Sequence, residues 1–203
     1  MPAPLTVRRA TDADRDPVIN AFGRCTDEEV TSWVMAGESD ASFRDSQVPL
    51  IIDSALKQDE VWIAGAGPDI WAVAIWQRVD SLDRFRADAD QARELHRQNP
   101  DFAPFRRLAA VTAYLAEAHP QHFPHLYLQV MVTVPERRGH GAGGALLDTR
   151  LALLEAEGSP AFLEASTERS ARLYSRHGFR RDSRPHTLPE GGPTLIPMWF
   201  RLP

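Results

Sequence analysis

Three features of the sequence could do chemistry together. The first is Arg138-Gly139-His140-Gly141-Ala142-Gly143-Gly144, which packs four glycines into six residues. Glycines at that density let a ligand approach the backbone. Where they open a helix, their N–H groups and the positive dipole end favour an anion, and phosphate is the natural guest. Arg137 and Arg138 add charge beside them. The second feature is Glu164, at the end of a short apolar run, where a carboxylate could take up a proton. The third is Tyr174, just before Gly178; read alone it is better taken as a half-buried core tyrosine, and it gains interest from its position after the glycines.

These residues need elements to hold them. Leu126 to Val134, rich in Val, Leu and Tyr, reads as the strongest strand. The glycines follow it, and Ala145 to Glu157 then reads as a helix ended by Gly158. Ala161–Ala165 reads as a strand and Ser170–His177 as a short helix. Upstream, Thr6 to Ala10 reads as a strand, and Thr11 or Asp12 could cap a helix to about Arg24. Ala41 to Lys57 is helical, with Val48, Ile51, Ile52 and Leu56 on one face. Val61–Gly65 and Ile70–Gln77 form a hairpin across a Gly/Pro break. Leu82 to Leu95 and Phe105 to Leu115 keep helical spacing and are divided near Asn99-Pro100. Thr194 to Leu202 closes the chain as a strand. The order implies a mixed α/β (α+β) fold in a single domain over 1–203.

The glycine segment admits three readings. A plain turn is the weakest, since four glycines are a costly way to make one. Gly139-x-Gly141-x-x-Gly144 also matches a dinucleotide fingerprint, with Glu164 about 20 residues beyond. Against that, Pro135 to Arg138 separate the strand from the glycines, and too little chain follows for further βαβ units. A Walker A loop fails, because no Lys-Ser or Lys-Thr follows. The third reading is a coenzyme A pyrophosphate loop.

Arg138-Gly139-His140-Gly141-Ala142-Gly143 resembles the [Gln/Arg]-x-x-Gly-x-[Gly/Ala] signature of the GNAT acetyltransferase superfamily. Leu173-Tyr174-Ser175-Arg176-His177-Gly178-Phe179 looks like its Leu-Tyr-x-x-x-Gly-Phe element. Leu126-Tyr-Leu, Pro160-Ala-Phe-Leu-Glu164-Ala-Ser166 and Leu188-Pro-Glu-Gly-Gly-Pro193 are similar to a branch that acetylates antibiotic amines, and so is Val7-Arg-Arg-Ala-Thr-Asp-Ala-Asp14. The likeness is dense from Leu126 onward and loose between Phe22 and Pro120. Two positions depart from the pattern: Thr133 stands where Val is usual, and Thr167 where Asn is common.

The resemblance implies a central mixed, mostly antiparallel sheet, splayed between its fourth and fifth strands, with helices on both faces. It implies acetyl-coenzyme A as co-substrate, held by Met131, Val132 and Thr133 along the pantetheine arm. Arg138, Gly139, His140, Gly141, Ala142, Gly143 and Gly144 would hold the pyrophosphate. Tyr174 would protonate the leaving thiolate and Glu164 would act as base, or else tie a loop. The activity expected is transfer of acetyl to a primary amine of a small molecule, such as an antibiotic or other natural product. A peptide or protein acetyltransferase, or a non-catalytic binding module, is the alternative. Trp33, His125 and Tyr127 are the candidates for touching the acceptor.

Bulk properties agree. The 203 residues carry 43% hydrophobic and 25% charged side chains and a net charge of -5, an ordinary globular composition. That balance argues against nucleic-acid or anionic-membrane partners. With Cys25 the single cysteine, no intrachain disulfide can form. His119, His122 and His125 stand three apart, but no cysteine or nearby carboxylate completes a metal set, so no metal is expected. The start lacks a signal-peptide pattern and no apolar run spans a membrane. A cytoplasmic monomer or homodimer is the expectation.

Overall fold

A computed structural model describes residues 4–25, 28–37 and 41–201, of 41–44 the backbone alone. The chain runs β1 (Thr6–Arg9), a 3-10 turn (Asp12–Asp14), α1 (Arg15–Gly23), α2 (Glu29–Val34), α3 (Ala41–Gln58), β2 (Glu60–Ala66) and β3 (Asp69–Val79). It continues with α4 (Asp83–Gln98), α5 (Ala103–Ala118), β4 (His125–Thr133), a 3-10 turn (Pro135–Arg137), α6 (Ala142–Glu157) and β5 (Ala161–Ala165). It closes with α7 (Glu168–Arg176), β6 (Arg180–Arg181), β7 (His186–Thr187) and β8 (Thr194–Phe200). Leu202, the expected end of the last strand, lies outside the described residues.

The strands form one sheet in the order β1-β2-β3-β4-β5-β8-β6, with β7 on β8. The β4–β5 pair is parallel, and every other pair is antiparallel. Strand alternation sends side chains to two faces. On one face, Leu146, Leu147, Leu151 and Leu154 of α6 and Ala171 and Tyr174 of α7 pack on Trp76, Leu128, Leu163 and Met198. On the other, Val18 of α1 and Ile52 of α3 cover Ile63, Ile75 and Val132. Further along that face, Phe85 of α4 meets Tyr127, Phe162 and Trp199. Arg150, 3% exposed, anchors α6 to β2 through Glu60 at 2.8 Å. No described helix is long and apolar enough to cross a membrane.

Two irregularities shape the centre. Ile75 pairs with Val130 and Trp76 with Leu128, so Gln129 bulges out of β4. A bulge bends its strand and resets which side chains face which way. Leu126 and Leu128 therefore share a face with Met131, while Tyr127 shares one with Val130 and Val132. Next, β4 and β5 pair only at Leu126↔Ala161 and Tyr127↔Phe162. Beyond those residues the two strands diverge and open a wedge.

The histidine triplet does not converge. His119 and His125 are each 2% exposed, with their Nε2 atoms 3.0 Å apart, and His125 Nδ1 lies 2.7 Å from the His122 carbonyl. His122 is exposed. Among the described residues, no group of three His, Cys, Asp or Glu could hold a metal ion. Burial, with His125 beside it, holds the His119 ring down at about 3. The folded protein thus resists a proton that the unfolded chain accepts below about pH 6.5. Stability is expected to fall as pH drops below that value, and by pH 5 the loss from this one ring is about 2 kcal/mol. His119→Phe should flatten the slope of urea-unfolding stability between pH 6.5 and 4. An unchanged slope would remove His119 as its source.

Candidate active site

The wedge leads into a cleft of about 580 Å³, lined by Met131, Val132 and Thr133 of β4, the glycine segment, and Ser170, Leu173 and Tyr174 of α7. Glu28 and Glu29 of α2 close it on one side, and Arg137, Arg138, Arg169 and Arg176 also line it.

The glycine segment becomes the first turn of α6. Gly139 and Gly141 sit at φ 79° and 84°, the left-handed region that L side chains avoid, and Gly141 is the N-cap of the helix. α6 starts three residues before the expected Ala145, because Gly141 turns the chain directly into it. The first turn carries no acidic residue. Its leading N–H groups lack intrahelical partners, and the sixteen-residue helix adds its dipole. Arg138 Nε donates to the Thr133 carbonyl at 3.3 Å, which folds the segment back on the end of β4. His140 is exposed and sits edge-on to Trp71. A Cβ on Gly143 would meet Thr133 Oγ1 at 3.5 Å, an ordinary contact that places this residue against the end of β4.

This geometry disposes of the dinucleotide reading. The sheet is mostly antiparallel, and a 3-10 turn separates β4 from the glycines. Glu164 follows Phe162 on the face away from α6, so it cannot serve a ribose at this loop. What the cleft offers is a helix N-terminus with Arg137 and Arg138 beside it, a strand edge leading inward from it, and two more arginines, Arg169 and Arg176, along its wall. An elongated ligand with phosphates at one end fits that layout.

Tyr174 lies at the inner end. Its ring packs on Phe179 with centroids 5.9 Å apart, and burial, then Glu28, hold its phenol well above the usual range. α7 owes its aim to Thr167, whose hydroxyl accepts from Ser170 N at 3.0 Å. The residue that departs from the usual Asn therefore caps the helix carrying Tyr174.

Glu164 sits on β5, where its Oε2 is buried and has no hydrogen-bond partner. Burial pushes its carboxyl up to about 7, while the Tyr127 hydroxyl and its own backbone N–H pull the other way. Tyr127 is encased by Phe85, His119 and Phe162, with centroids 5.7, 4.9 and 6.1 Å away. Tyr127 is expected from the sequence to touch the acceptor; the structure instead buries it in this aromatic cluster, near enough to Glu164 to favour its carboxylate. Tyr127→Phe removes a donor that favours the carboxylate. The acidic limb of the pH–rate profile is then expected to move upward from about 7. A limb that stays put would separate Tyr127 from Glu164.

Two acceptor candidates lie elsewhere. His125 is shut into the aromatic cluster with both ring nitrogens engaged, leaving nothing to offer a ligand. Trp33 is 7% exposed and packs with Val111, Leu188 and Leu195 behind the cleft wall. Sequence reasoning missed Glu28 and Glu29. They precede Trp33 in a stretch too short and polar to announce a helix, and only the fold brings them opposite Tyr174.

The sequence profile of the acetyltransferase (GNAT) domain matches residues 107–181, from α5 to β6. No curated protein matches the chain. Among solved structures, the chain is similar to the histone acetyltransferase HPA2 and related acetyltransferase of Corynebacterium glutamicum, at 23% identity, TM-score 0.71, and 100% and 99% of the two chains. It is similar to arylalkylamine N-acetyltransferase 2 of Aedes aegypti, at 15% identity, TM-score 0.72, covering 96% and 97%. It is also similar to polyamine N-acetyltransferase of Drosophila melanogaster, at 16% identity, TM-score 0.65, covering 98% and 100%. The fold is the GNAT fold, with the expected splay between the fourth and fifth strands. The glycine loop, Glu164 and Tyr174 all lie within the segment that matches the acetyltransferase profile.

Proposed function

We propose that the protein moves an acetyl group from acetyl-coenzyme A to the primary amine of a small molecule. The observation that carries this is the convergence of the α6 N-terminus, the free edge of β4 and Tyr174 on one cleft. The pyrophosphate belongs at Gly139 to Gly144, among the arginines. The pantetheine arm belongs along Met131, Val132 and Thr133, pairing with an edge that β5 has left. A backbone N–H of that edge would face the developing oxyanion.

In the reaction, the amine nitrogen attacks the thioester carbonyl carbon, the C–N bond forms and the C–S bond breaks. Glu164 takes the proton from the ammonium, directly or through water, and a carboxyl near 7 is suited to that at neutral pH. Tyr174 gives its proton to the departing thiolate. Its raised pKa keeps it protonated until the thiolate forms in the same dry site.

Small amines are favoured as acceptors. One similar structure is of an enzyme that forms N-acetylagmatine, and another is of an arylalkylamine N-acetyltransferase. Sequence elements from Leu126 onward look like puromycin N-acetyltransferase, which supports an antibiotic or other natural-product amine and a cytoplasmic role in resistance or biosynthesis. The test is acetyl-coenzyme A turnover with a thiol readout over puromycin, other antibiotics, polyamines and short peptides. Thiol release with a small amine and none with peptides is expected. Failure to bind acetyl-coenzyme A would overturn the reading, and peptide turnover alone would replace the acceptor class.

A further inference from the structure

α2 carries Glu28 and Glu29 into the cleft, yet six residues are far too few for a helix to hold itself. Its N-terminus is fixed by two contacts. Glu28 accepts from Thr31 N at 2.8 Å, and Ser166 Oγ donates to Glu29 at 3.3 Å. Its C-terminal carbonyls are gathered by one guanidinium from α5. Arg107 Nη1 lies 3.1 Å from the Trp33 carbonyl, 3.4 Å from that of Val34 and 2.5 Å from that of Ala36. Arg107 is itself held, with its Nε 3.3 Å from Glu190 Oε2. Arg106 grips the same carboxylate through two nitrogens, at 2.7 and 2.9 Å.

The loop that supplies Glu190 also supports Trp33. Glu190 adopts φ 53°, and Gly192 lies under the indole, where a Cβ would come within 2.8 Å of the ring and 2.7 Å of Leu188 Cβ. Arg107 and the Glu190–Gly192 loop come from parts of the chain distant in sequence, and Arg107 and Gly192 both meet the last turn of α2 while Glu190 holds Arg107. None of them lines the cleft.

We propose that Arg107 is a positioning residue for the acceptor: by clamping the C-terminus of α2 it fixes the wall that Glu28 and Glu29 present opposite Tyr174, and so sets acceptor affinity. This rests on the acetyltransferase reading above. A lysine in its place keeps the charge but cannot spread planar donors over adjacent carbonyls. The coenzyme end is built from β4, α6 and α7, so it is outside the clamp's reach.

The test compares Arg107→Lys, Arg107→Met and Glu190→Gln with wild type, using the best amine of the panel. Acceptor KM is expected to rise about tenfold in the Arg107 variants and less in Glu190→Gln, with kcat and acetyl-coenzyme A Kd within about twofold of wild type. Hydrogen exchange at the α2 amides should quicken in the same order. Unchanged acceptor KM in folded variants overturns the proposal. So does a matched loss of kcat and coenzyme affinity, which would mean a general structural role. Should the Arg107 variants not fold, Glu190→Gln at the exposed end of the clamp and Gly192→Ala beneath Trp33 carry the same readouts. If wild type binds acetyl-coenzyme A but turns over no amine, the functional reading fails by itself. Hydrogen exchange then still decides the clamp, since unaltered α2 protection in Arg107→Lys would overturn it.

Discussion

Glu164→Gln is expected to lower kcat/KM about a hundredfold to ten-thousandfold and to remove the acidic limb near pH 7. A base works only when deprotonated, so wild-type activity should climb as the pH rises through about 7, where burial has pushed this carboxyl. An amide has the same shape, but it does not titrate and cannot act as a base. The same substitution should act oppositely on stability. A folded-state pKa raised above the unfolded value costs stability as pH rises from about 4.5 through about 7. At pH 8, where wild type must bury a carboxylate, Glu164→Gln is therefore expected to be more stable by roughly 1–3 kcal/mol. The two variants should converge near pH 4. A pH–rate profile that keeps its limb near 7 would deny Glu164 the role of base. A stability difference that does not depend on pH would deny that it is buried and charged at neutral pH.

Tyr174→Phe is expected to lower kcat at least about a hundredfold with little change in acetyl-coenzyme A Kd. The lost proton matters only when the thiolate departs, so kcat and kcat/KM should fall together. The defect should shrink with an aryl thioester donor, whose more acidic thiol leaves without help. The fold should survive, because the ring keeps its packing against Phe179. Near-normal kcat in a folded variant, or an equal defect with both donors, would take the acid role away from Tyr174.

These two residues show where sequence and structure divide. Tyr174 was legible in the sequence because the feature that aims it is local: a capped nine-residue helix between Thr167 and Gly178, set behind the second half of the sheet. The glycine loop was legible for the same reason. Positive φ at Gly139 and Gly141 and a helix start immediately after are properties of a few adjacent residues. Strand and helix order followed from hydrophobic spacing, which errs mainly at element ends, as the early start of α6 illustrates.

The acceptor side was not legible, because long-range packing builds it. Tyr127 reads as an ordinary strand tyrosine until the parallel pairing of β4 with β5 brings its hydroxyl to Glu164. His125 adjoins the same strand but is sealed by Trp199 and Phe123, contacts no local pattern announces. Trp33 sits behind the wall while its neighbours Glu28 and Glu29 form it, since one turn of α2 decides which side chain faces the cleft. The sequence by itself determined the glycine loop and the helix that carries Tyr174, whose geometry is written in consecutive residues. Only the tertiary structure decided the environment of Glu164 and the shape of the cleft wall around Glu28 and Glu29. Burial and the Arg107 clamp arise between residues far apart in the chain.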